Sequence, residues 1–286
     1  MATEIHSLIE EGAARLARVA DDPRHEAEIL LAAALGVPRS HLAAHPERQV
    51  QDCEATDRFE ACITRRAQGE PVAYILGAKE FWSLPLAVDA AVLIPRPETE
   101  LVVERALAHL PPGAAADVLD LAAGSGAIAL AIASERPGCR VTGTDVSQDA
   151  VAVASRNARR LGLERVAFLA GPWYAPVQGR RFDLIASNPP YIAEGDPRVE
   201  RSVQRFEPHA ALYAGPTGLE ALQEIASGAT PHLKPGGWIV LEHGDLQGEA
   251  VRALLEGAGF ESVQTHRDLA GLERCTEGVR CSRPSP

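Results

Sequence analysis

Two short segments carry residues whose types and spacing can do chemistry. The first, Ser187-Asn188-Pro189-Pro190-Tyr191, places two consecutive prolines between an amide and an aromatic side chain. Prolines stiffen a turn and have no N–H, so carbonyls there are left as free acceptors, and Asn188 adds a side-chain oxygen. Such acceptors can hold both hydrogens of a planar –NH2 group, while Tyr191 offers an aromatic face to a planar amide or a cation. We therefore predict a catalytic site made of Asn188, Pro189 and Tyr191 that holds a nitrogen nucleophile.

The second segment is a glycine-containing loop that runs from Asp120 to Gly126. Glycines let the backbone approach a ligand closely, and free N–H groups at the start of a helix favour polar or anionic groups. Asp145 follows 19 residues after Gly126, and its carboxylate can accept hydrogen bonds from both hydroxyls of a ribose. The pattern fits a dinucleotide site, because Gly124-x-Gly126-x-x-Ala129 matches the loose fingerprint. It also fits an S-adenosylmethionine site, in which no diphosphate is held.

The elements around these two segments alternate between strand and helix. Short apolar runs predict strands over residues 118–122, 140–144, 166–170, 182–187 and 238–242. Helical patterns fall between them, after Gly126, over 150–161 and around 219–229. Repeated β-α-β units with buried apolar strands imply an α/β fold with a doubly wound, mainly parallel sheet. Ligands of such sheets bind at the carboxyl ends of the strands, which is where both segments fall.

Residues 1–70 predict a small bundle of helices. Apolar residues recur at the helical period in three stripes, within residues 5–19, 27–35 and 55–67. Asp22 is suited to cap the second helix, Pro23 to be its first residue and Gly36 to end it.

A β-prone segment follows the bundle and predicts a hairpin with its turn at Asp89-Ala90. We therefore divide the chain into a helical domain over residues 1–71, a linking β-hairpin over 72–95 and a catalytic domain over 96–286.

Composition restricts the class of protein. The chain has 286 residues with 28 Lys and Arg against 39 Asp and Glu, and the resulting net charge of −11 argues against a protein that coats nucleic acid. No stretch approaches the roughly 18 apolar residues of a membrane span, and Glu4, Glu10 and Glu11 stand where a secretory leader would need cations. The five cysteines contain no CxxC pair, so we expect no disulfide framework, no metal site and a cytoplasmic location.

The residues of both segments resemble those of a known family. Asn188-Pro189-Pro190-Tyr191 resembles the NPPY motif of those class I methyltransferases that act on a planar amino group, namely adenine N6, cytosine N4 or the glutamine side-chain nitrogen. The resemblance becomes narrower upstream, where residues 69–77 (GEPVAYILG) and 93–100 (LIPRPETE) are similar to the release factor glutamine methyltransferases, the HemK/PrmC family. Residues 205–208, 241–244 and 267–271 are similar to family segments as well, so the resemblance covers essentially the whole chain.

The resemblance implies both a fold and an activity. It implies a seven-stranded class I methyltransferase sheet, S-adenosylmethionine as methyl donor and S-adenosylhomocysteine as product. The acceptor would be the side-chain nitrogen (N5) of the glutamine in the Gly-Gly-Gln motif of peptide-chain release factors, in support of translation termination. The helical domain would recognise this protein substrate, and we expect a monomer that binds neither nucleic acid nor membranes.

The resemblance also assigns residues by position. It assigns the cofactor to the following residues: Asp120, Ala122, Ala123, Gly124, Ser125, Gly126, Asp145, Trp173 and Asn188. It assigns the glutamine amide to Asn188, Pro189, Pro190 and Tyr191.

Two positions depart from the family pattern. Ala122-Ala123 stand where a Gly-Thr pair is usual, and alanine tolerates a positive φ less well than glycine. Pro172 precedes Trp173 where an acidic residue is usual, which removes one acceptor for the adenine amine. Neither departure touches the NPPY motif, so we expect an active enzyme.

Other interpretations stay open at this point. The NPPY motif also serves enzymes that methylate a ribosomal-protein glutamine, or adenine and cytosine in nucleic acid, although the charge of −11 argues against nucleic acid. A catalytically silent binding module would keep the fold, and the altered loop is its only support. An enzyme that uses a nicotinamide dinucleotide is the weakest alternative, because it has no use for the NPPY motif.

Overall fold

The computed structural model describes residues 3–281, and residues 1, 2 and 282–286 lie outside the described part. Its helices are α1 (Ile5–Leu16), α2 (Pro23–Leu35), α3 (Arg39–Ala44), α4 (Cys53–Ala67), α5 (Val72–Leu76), α6 (Glu100–Ala108), α7 (Ala127–Glu135), α8 (Gln148–Arg160), α9 (Arg201–Phe206), α10 (His209–Leu212), α11 (Glu220–Ala229) and α12 (Gly248–Gly257). Its strands are β1 (Thr3–Glu4), β2 (Gln49–Val50), β3 (Ala78–Phe81), β4 (Leu84–Ala87), β5 (Asp117–Leu121), β6 (Arg140–Asp145), β7 (Ala167–Ala170), β8 (Phe182–Ser187), β9 (Ile192–Ala193), β10 (Tyr213–Gly215), β11 (Leu233–Glu242), β12 (Phe260–Arg267) and β13 (Glu273–Arg280). Within residues 3–281, no helix is long and apolar enough to cross a lipid bilayer.

The chain divides into two units. One contains the residues up to Gly77 together with α9, and the other contains Ala78–Glu200 together with the residues from Glu207 onward.

The first unit is helical, as its apolar stripes predict. Asp22 caps α2 by accepting a hydrogen bond from His25 N at 3.0 Å, Pro23 is the first helical residue, and Gly36 ends the helix in the left-handed conformation. The stripes of α1, α2 and α4 pack into one core, whose fully buried side chains include Leu16, Leu30, Phe59 and Ile63.

The second unit is built on a sheet of seven strands in the order β12-β13-β11-β8-β5-β6-β7. The pairs from β11 through β7 are parallel, whereas β13 pairs antiparallel with both β11 and β12. Successive residues of β5 enter cores on opposite faces, with Val118 in the core of α6 and α7 and Leu119 in the core of α11 and α12. This architecture confirms the predicted doubly wound, mainly parallel sheet.

The hairpin between bundle and sheet has a different turn from the predicted one. β3 and β4 pair antiparallel around Trp82-Ser83, whose φ angles are 51° and 58°, so the predicted turn at Asp89-Ala90 is wrong. Two-residue turns of this kind are usually marked by Asn or Gly, which adopt a positive φ at low cost, and neither is present here. Asp89 instead shapes the following loop by accepting a hydrogen bond from Ala91 N at 3.0 Å.

Asn157 of α8 joins this hairpin to the glycine-containing loop. Its Oδ1 accepts a hydrogen bond from Ala87 N at 2.7 Å, and its Nδ2 donates to Ala87 O at 3.0 Å and to Ser125 O at 2.9 Å. The side chain is buried and all three partners are main-chain groups. Asn157 therefore fixes the position of Ser125 relative to β4.

Replacing Asn157 with alanine is expected to lower the free energy of unfolding by about 2–4 kcal/mol, because buried main-chain groups lose their partners. Urea unfolding measures this change. Arg160→Ala, an exposed position on the same helix, is the matched control and should stay within about 0.5 kcal/mol of wild type. Equal stability of the two variants would contradict the role assigned to Asn157.

Candidate active site

The glycine-containing loop and the Asn-Pro-Pro-Tyr segment lie side by side because β5 and β8 are parallel neighbours in the sheet. Leu121 is paired with Ser187 at the ends of these strands, and the Ser187 hydroxyl donates a hydrogen bond to Leu121 O at 2.8 Å. The carboxyl ends of both strands therefore open at the same edge of the sheet. The glycine-containing loop follows one strand and the Asn-Pro-Pro-Tyr segment follows the other.

A cavity of about 470 Å³ opens at this edge, a size typical of small-molecule sites. Its lining includes most of the residues predicted from the sequence: Ala122, Ala123, Gly124, Ser125, Asp145, Trp173, Asn188 and Pro190. Four predicted residues are not part of this lining: Asp120, Gly126, Pro189 and Tyr191. Among residues 3–281, no group of three or more His, Cys, Asp or Glu side chains is placed to hold a metal ion.

The glycine-containing loop has a left-handed backbone conformation at an alanine, where glycine would be usual. Ala122 has a φ of 56°, in the left-handed region, which costs a residue with a Cβ about 1–2 kcal/mol. Ala123 N donates a hydrogen bond to Thr144 O at 3.0 Å, which ties the loop to the end of β6. Backbone strain of this kind is concentrated at functional sites in proteins, and here it lies in the wall of the cavity.

Asp145 is held with its carboxylate against the same loop. Its Oδ2 accepts a hydrogen bond from Gly124 N at 2.9 Å, and its Oδ1 accepts one from Ser147 N at 2.9 Å. Burial raises the pKa of this carboxyl, and the two hydrogen bonds oppose the increase. An ionised carboxylate offers about four acceptor positions, so two main-chain donors orient Asp145 and leave lone pairs for the hydroxyl groups of a ligand.

Asp120 supports the loop from within the core. It is fully buried, and its Oδ2 accepts a hydrogen bond from Ala129 N at 3.0 Å in the first turn of α7. Burial raises the pKa of Asp120 to about 8, the bond from Ala129 lowers it, and the charge of Asp145 adds to the increase. The contacts of Asp120 orient α7, and its assignment to the cofactor stays a prediction.

Trp173 forms another wall of the cavity with a partner that the sequence did not indicate. Its carbonyl accepts a hydrogen bond from the Thr144 hydroxyl at 2.9 Å, and its indole N–H donates to Glu224 Oε2. Glu224 lies on α11, 51 residues further along the chain, and lines the cavity as well. A carboxylate therefore stands beside Trp173 although Pro172 cannot supply one.

Asn188 contributes an oriented amide to the cavity. Its Nδ2 donates a hydrogen bond to the Thr99 hydroxyl oxygen at 3.0 Å. Since the nitrogen is engaged, the amide oxygen Oδ1 is the atom left to accept a hydrogen bond from a ligand. Thr99 is buried and belongs to the Pro-Arg-Pro-Glu-Thr-Glu segment that the resemblance singled out.

Tyr191 is fixed at both ends. Its hydroxyl donates a hydrogen bond to Glu242 Oε1 at 3.0 Å, and its carbonyl accepts one from Gln247 Nε2 at 3.0 Å. Burial, together with the charge of Glu242, raises the pKa of Tyr191, so the side chain is a neutral phenol. Sequence analysis found Tyr191 but not Glu242 or Gln247, which are 51 and 56 residues away along the chain.

Glu207, a buried carboxylate that the sequence did not indicate, joins two segments of the cavity wall. Glu207 Oε2 accepts a hydrogen bond from Ile94 N at 3.1 Å, and Glu207 also forms an ion pair with Arg96. Segments on both sides of this pair line the cavity, including Leu93, Pro95, Pro208 and Ala211. The only available signal was that both partners fall in segments that are similar to the family.

Replacing Asp145 with asparagine is expected to weaken S-adenosylmethionine binding about tenfold or more, because a charge-assisted acceptor becomes a neutral amide. Isothermal titration calorimetry measures the Kd. Asp149→Asn, which makes the same charge change at an exposed position on α8, is the control and should bind as wild type does. Equal Kd values for both variants would remove Asp145 from the site.

Comparisons with known proteins identify the family of this chain. Residues 7–77 match the PrmC N-terminal domain, and residues 99–219 match the methyltransferase small domain. The release factor glutamine methyltransferase of Salmonella typhimurium is 47% identical over 94% of this chain and 95% of its own length. That of Pseudomonas aeruginosa is 52% identical over 89% of this chain and 92% of its own length. A crystal structure of a methyltransferase from Pyrococcus furiosus, 20% identical, shares the fold with a TM-score of 0.52 over 69% of this chain and 89% of that one. The chain belongs to the release factor glutamine methyltransferase family.

Proposed function

We propose that this protein transfers a methyl group from S-adenosylmethionine to the side-chain nitrogen of the glutamine in the Gly-Gly-Gln motif of peptide-chain release factors. The observation that carries the proposal is the oriented Asn188 amide in the wall of a cavity that also contains Asp145 and the glycine-containing loop. The Asp145 carboxylate suits the hydroxyl groups of a nucleoside, and the Asn188 oxygen suits an –NH2 group. The curated relatives, at 47% and 52% identity, support the same conclusion.

Methyl transfer to an amide nitrogen depends mainly on how the nitrogen and the methyl group are positioned. An amide nitrogen is a poor nucleophile because its lone pair is delocalised into the carbonyl. When bound, S-adenosylmethionine supplies a methyl group on a sulfonium, which is already activated, and it leaves as S-adenosylhomocysteine. The protein then has to bring the two partners together in the right orientation, an effect that contributes up to roughly 7–11 kcal/mol.

Asn188 and Pro189 are the residues to which we assign this orientation. The Asn188 Oδ1 accepts one N–H of the glutamine amide, and the Pro189 carbonyl accepts the other. Both acceptors also stabilise the positive charge that grows on the nitrogen during transfer. Pro190, which lines the cavity, provides the surface against which the planar amide lies, and the amide proton leaves to water after transfer. Tyr191 keeps the segment in place through its bonds to Glu242 and Gln247.

Recognition of the release factor is assigned to the helical unit that ends at Gly77. A single glutamine in a loop offers far less contact area than the roughly 800 Å² per partner of a stable protein interface, so a second surface is needed. Residues 7–77, which match the PrmC N-terminal domain, make up most of this unit. Because release factors act on the ribosome, the reaction belongs in the cytoplasm.

The substrate assignment is tested with S-adenosylmethionine that carries a labelled methyl group. The full-length chain is incubated with a release factor, either wild type or with the glutamine of its Gly-Gly-Gln motif changed to alanine. Label is expected on the wild-type factor alone, because only its glutamine offers the side-chain nitrogen. Equal labelling of both factors, or labelling of RNA or a ribosomal protein instead, would refute the assignment.

The role of Asn188 is tested by its replacement with alanine. The kcat at saturating S-adenosylmethionine is expected to fall about 100-fold or more, in line with the loss of one oriented group that stabilises charge in the transition state. Gln178→Ala, which removes an exposed amide, is the control and should keep the wild-type kcat. An Asn188→Ala variant with most of the wild-type kcat would refute the positioning role.

A further inference from the structure

Two hydrogen-bonded pairs of polar side chains hold the Asn-Pro-Pro-Tyr segment. Asn188 donates to Thr99 Oγ1 at 3.0 Å, and Tyr191 donates to Glu242 Oε1 at 3.0 Å. Glu242 is the last residue of β11 and is 1% exposed. Its second oxygen, Oε2, is buried and has no close hydrogen-bond partner among residues 3–281. The Thr99 hydroxyl interacts with this carboxylate and lowers its pKa, but it forms no hydrogen bond with Oε2, so it is a donor that can turn toward Glu242.

The direction of these hydrogen bonds follows from the chemistry of the groups. An amide nitrogen only donates, so Asn188 Nδ2 takes a lone pair of the Thr99 oxygen. The Thr99 proton must then point elsewhere. An ionised carboxylate only accepts, so Glu242 attracts protons from both Thr99 and Tyr191. A charged Glu242 therefore stabilises the orientation in which the Thr99 proton points away from Asn188.

We propose that Glu242 is a positioning residue for methyl transfer, which, as a carboxylate, turns the Thr99 hydroxyl toward itself and so holds the Asn188 amide with Oδ1 toward the substrate. The proposal rests on the proposed function, because the oriented oxygen matters only if an N–H of the substrate binds there. Glu242 does not touch the reacting atoms and acts through Thr99. The sequence resemblance assigned no role to either residue.

The charge of Glu242 depends on the groups around it. Burial raises its pKa to about 7, the Thr99 and Tyr191 hydroxyls and the Arg274 guanidinium lower it, and the charge of Glu98 raises it. Cys275 of β13 is paired with Glu242 of β11, and burial keeps it a thiol by raising its pKa. Protonated Glu242 can donate to Thr99, whose own proton is then free to turn toward Asn188. In that state the amide loses its fixed orientation, so the ionised form is the active one.

The kcat and the contribution of Glu242 to stability therefore change with pH in opposite directions. The kcat of the wild-type enzyme is expected to rise as the pH increases through about 7, where Glu242 ionises. Because the folded pKa is above the ordinary value of 4.5, the contribution of Glu242 to stability is complete below pH 4.5 and is lost as the pH rises through about 7. A merely structural role would not predict an activity that rises while this contribution is being lost.

Thr99→Val in the full-length chain tests the connection directly. Valine keeps the shape of threonine and removes the hydroxyl, so kcat toward a release factor is expected to fall about 10- to 100-fold. The Kd of S-adenosylmethionine should stay close to wild type, which also shows that the variant folds. Thr99→Ser restores the hydroxyl and should recover most of the lost kcat.

Glu242→Gln tests the dependence on charge. Its kcat is expected to be low and to lose the increase near pH 7, whereas Glu242→Asp keeps a titrating carboxyl and keeps the increase. In the Thr99→Val background, Glu242→Gln should change kcat little further, because residues of one hydrogen-bonded network do not act additively. If Glu242→Gln does not fold, the Thr99 variants and the wild-type pH profile decide the question.

The possible outcomes separate this proposal from the function on which it rests. Wild-type kcat in both Thr99→Val and Glu242→Gln, or a pH step that persists in Glu242→Gln, would overturn the positioning role while leaving the methyltransferase intact. A wild-type chain that fails to methylate the glutamine would overturn the proposed function, and this proposal with it.

Discussion

Parallel pairing of β5 with β8 brings the glycine-containing loop and the Asn-Pro-Pro-Tyr segment to the same edge of the sheet. Leu121 and Ser187 end their strands in register, and the bond from the Ser187 hydroxyl to Leu121 O closes the pair at 2.8 Å. The residues after each strand must therefore share one edge of the sheet. The loop that begins with Ala122 and the amide of Asn188 both line a single cavity although they are separated by more than sixty residues.

Features that cost a protein free energy occur at the cavity and among the residues that support it. Ala122 holds a left-handed conformation that glycine would adopt more easily, and two buried carboxyls, Asp120 and Glu242, each leave one oxygen without a close partner. Burial raises the pKa of Asp120 to about 8 and that of Glu242 to about 7. Proteins usually satisfy buried polar groups, and exceptions tend to mark functional sites. Ala122 lines the cavity, whereas Asp120 and Glu242 lie outside its lining and bond to α7 and to Tyr191, so all three positions concern residues that shape the site.

Much of this fold could be predicted from the sequence because buried parallel strands are short apolar runs. β8 lies at its predicted bounds, and β5, β6 and β7 differ by about one residue from theirs. The last two strands carry mostly polar residues, such as the Phe260–Arg267 segment, so no apolar run marked them and the count of seven came from the family resemblance. The turn at Trp82-Ser83 was missed because its residues are not those that usually adopt a positive φ.

The site was predictable only in part, for a related reason. Asn188, Tyr191 and Asp145 stand in local motifs, and a motif can be found in the sequence. Thr99 and Glu242 act through contacts across 89 and 51 residues, which the topology of the sheet creates. Glu224 reaches Trp173 in the same way, so the acidic group missing at position 172 is present in space but not in the local sequence.

A crystal structure with S-adenosylhomocysteine and a Gly-Gly-Gln peptide would test the positioning of the substrate amide most directly. The account predicts that the glutamine side-chain nitrogen lies about 2.7–3.2 Å from Asn188 Oδ1, while Asn188 Nδ2 keeps its bond to Thr99. A glutamine nitrogen out of hydrogen-bond reach of both Asn188 Oδ1 and the Pro189 carbonyl would contradict it.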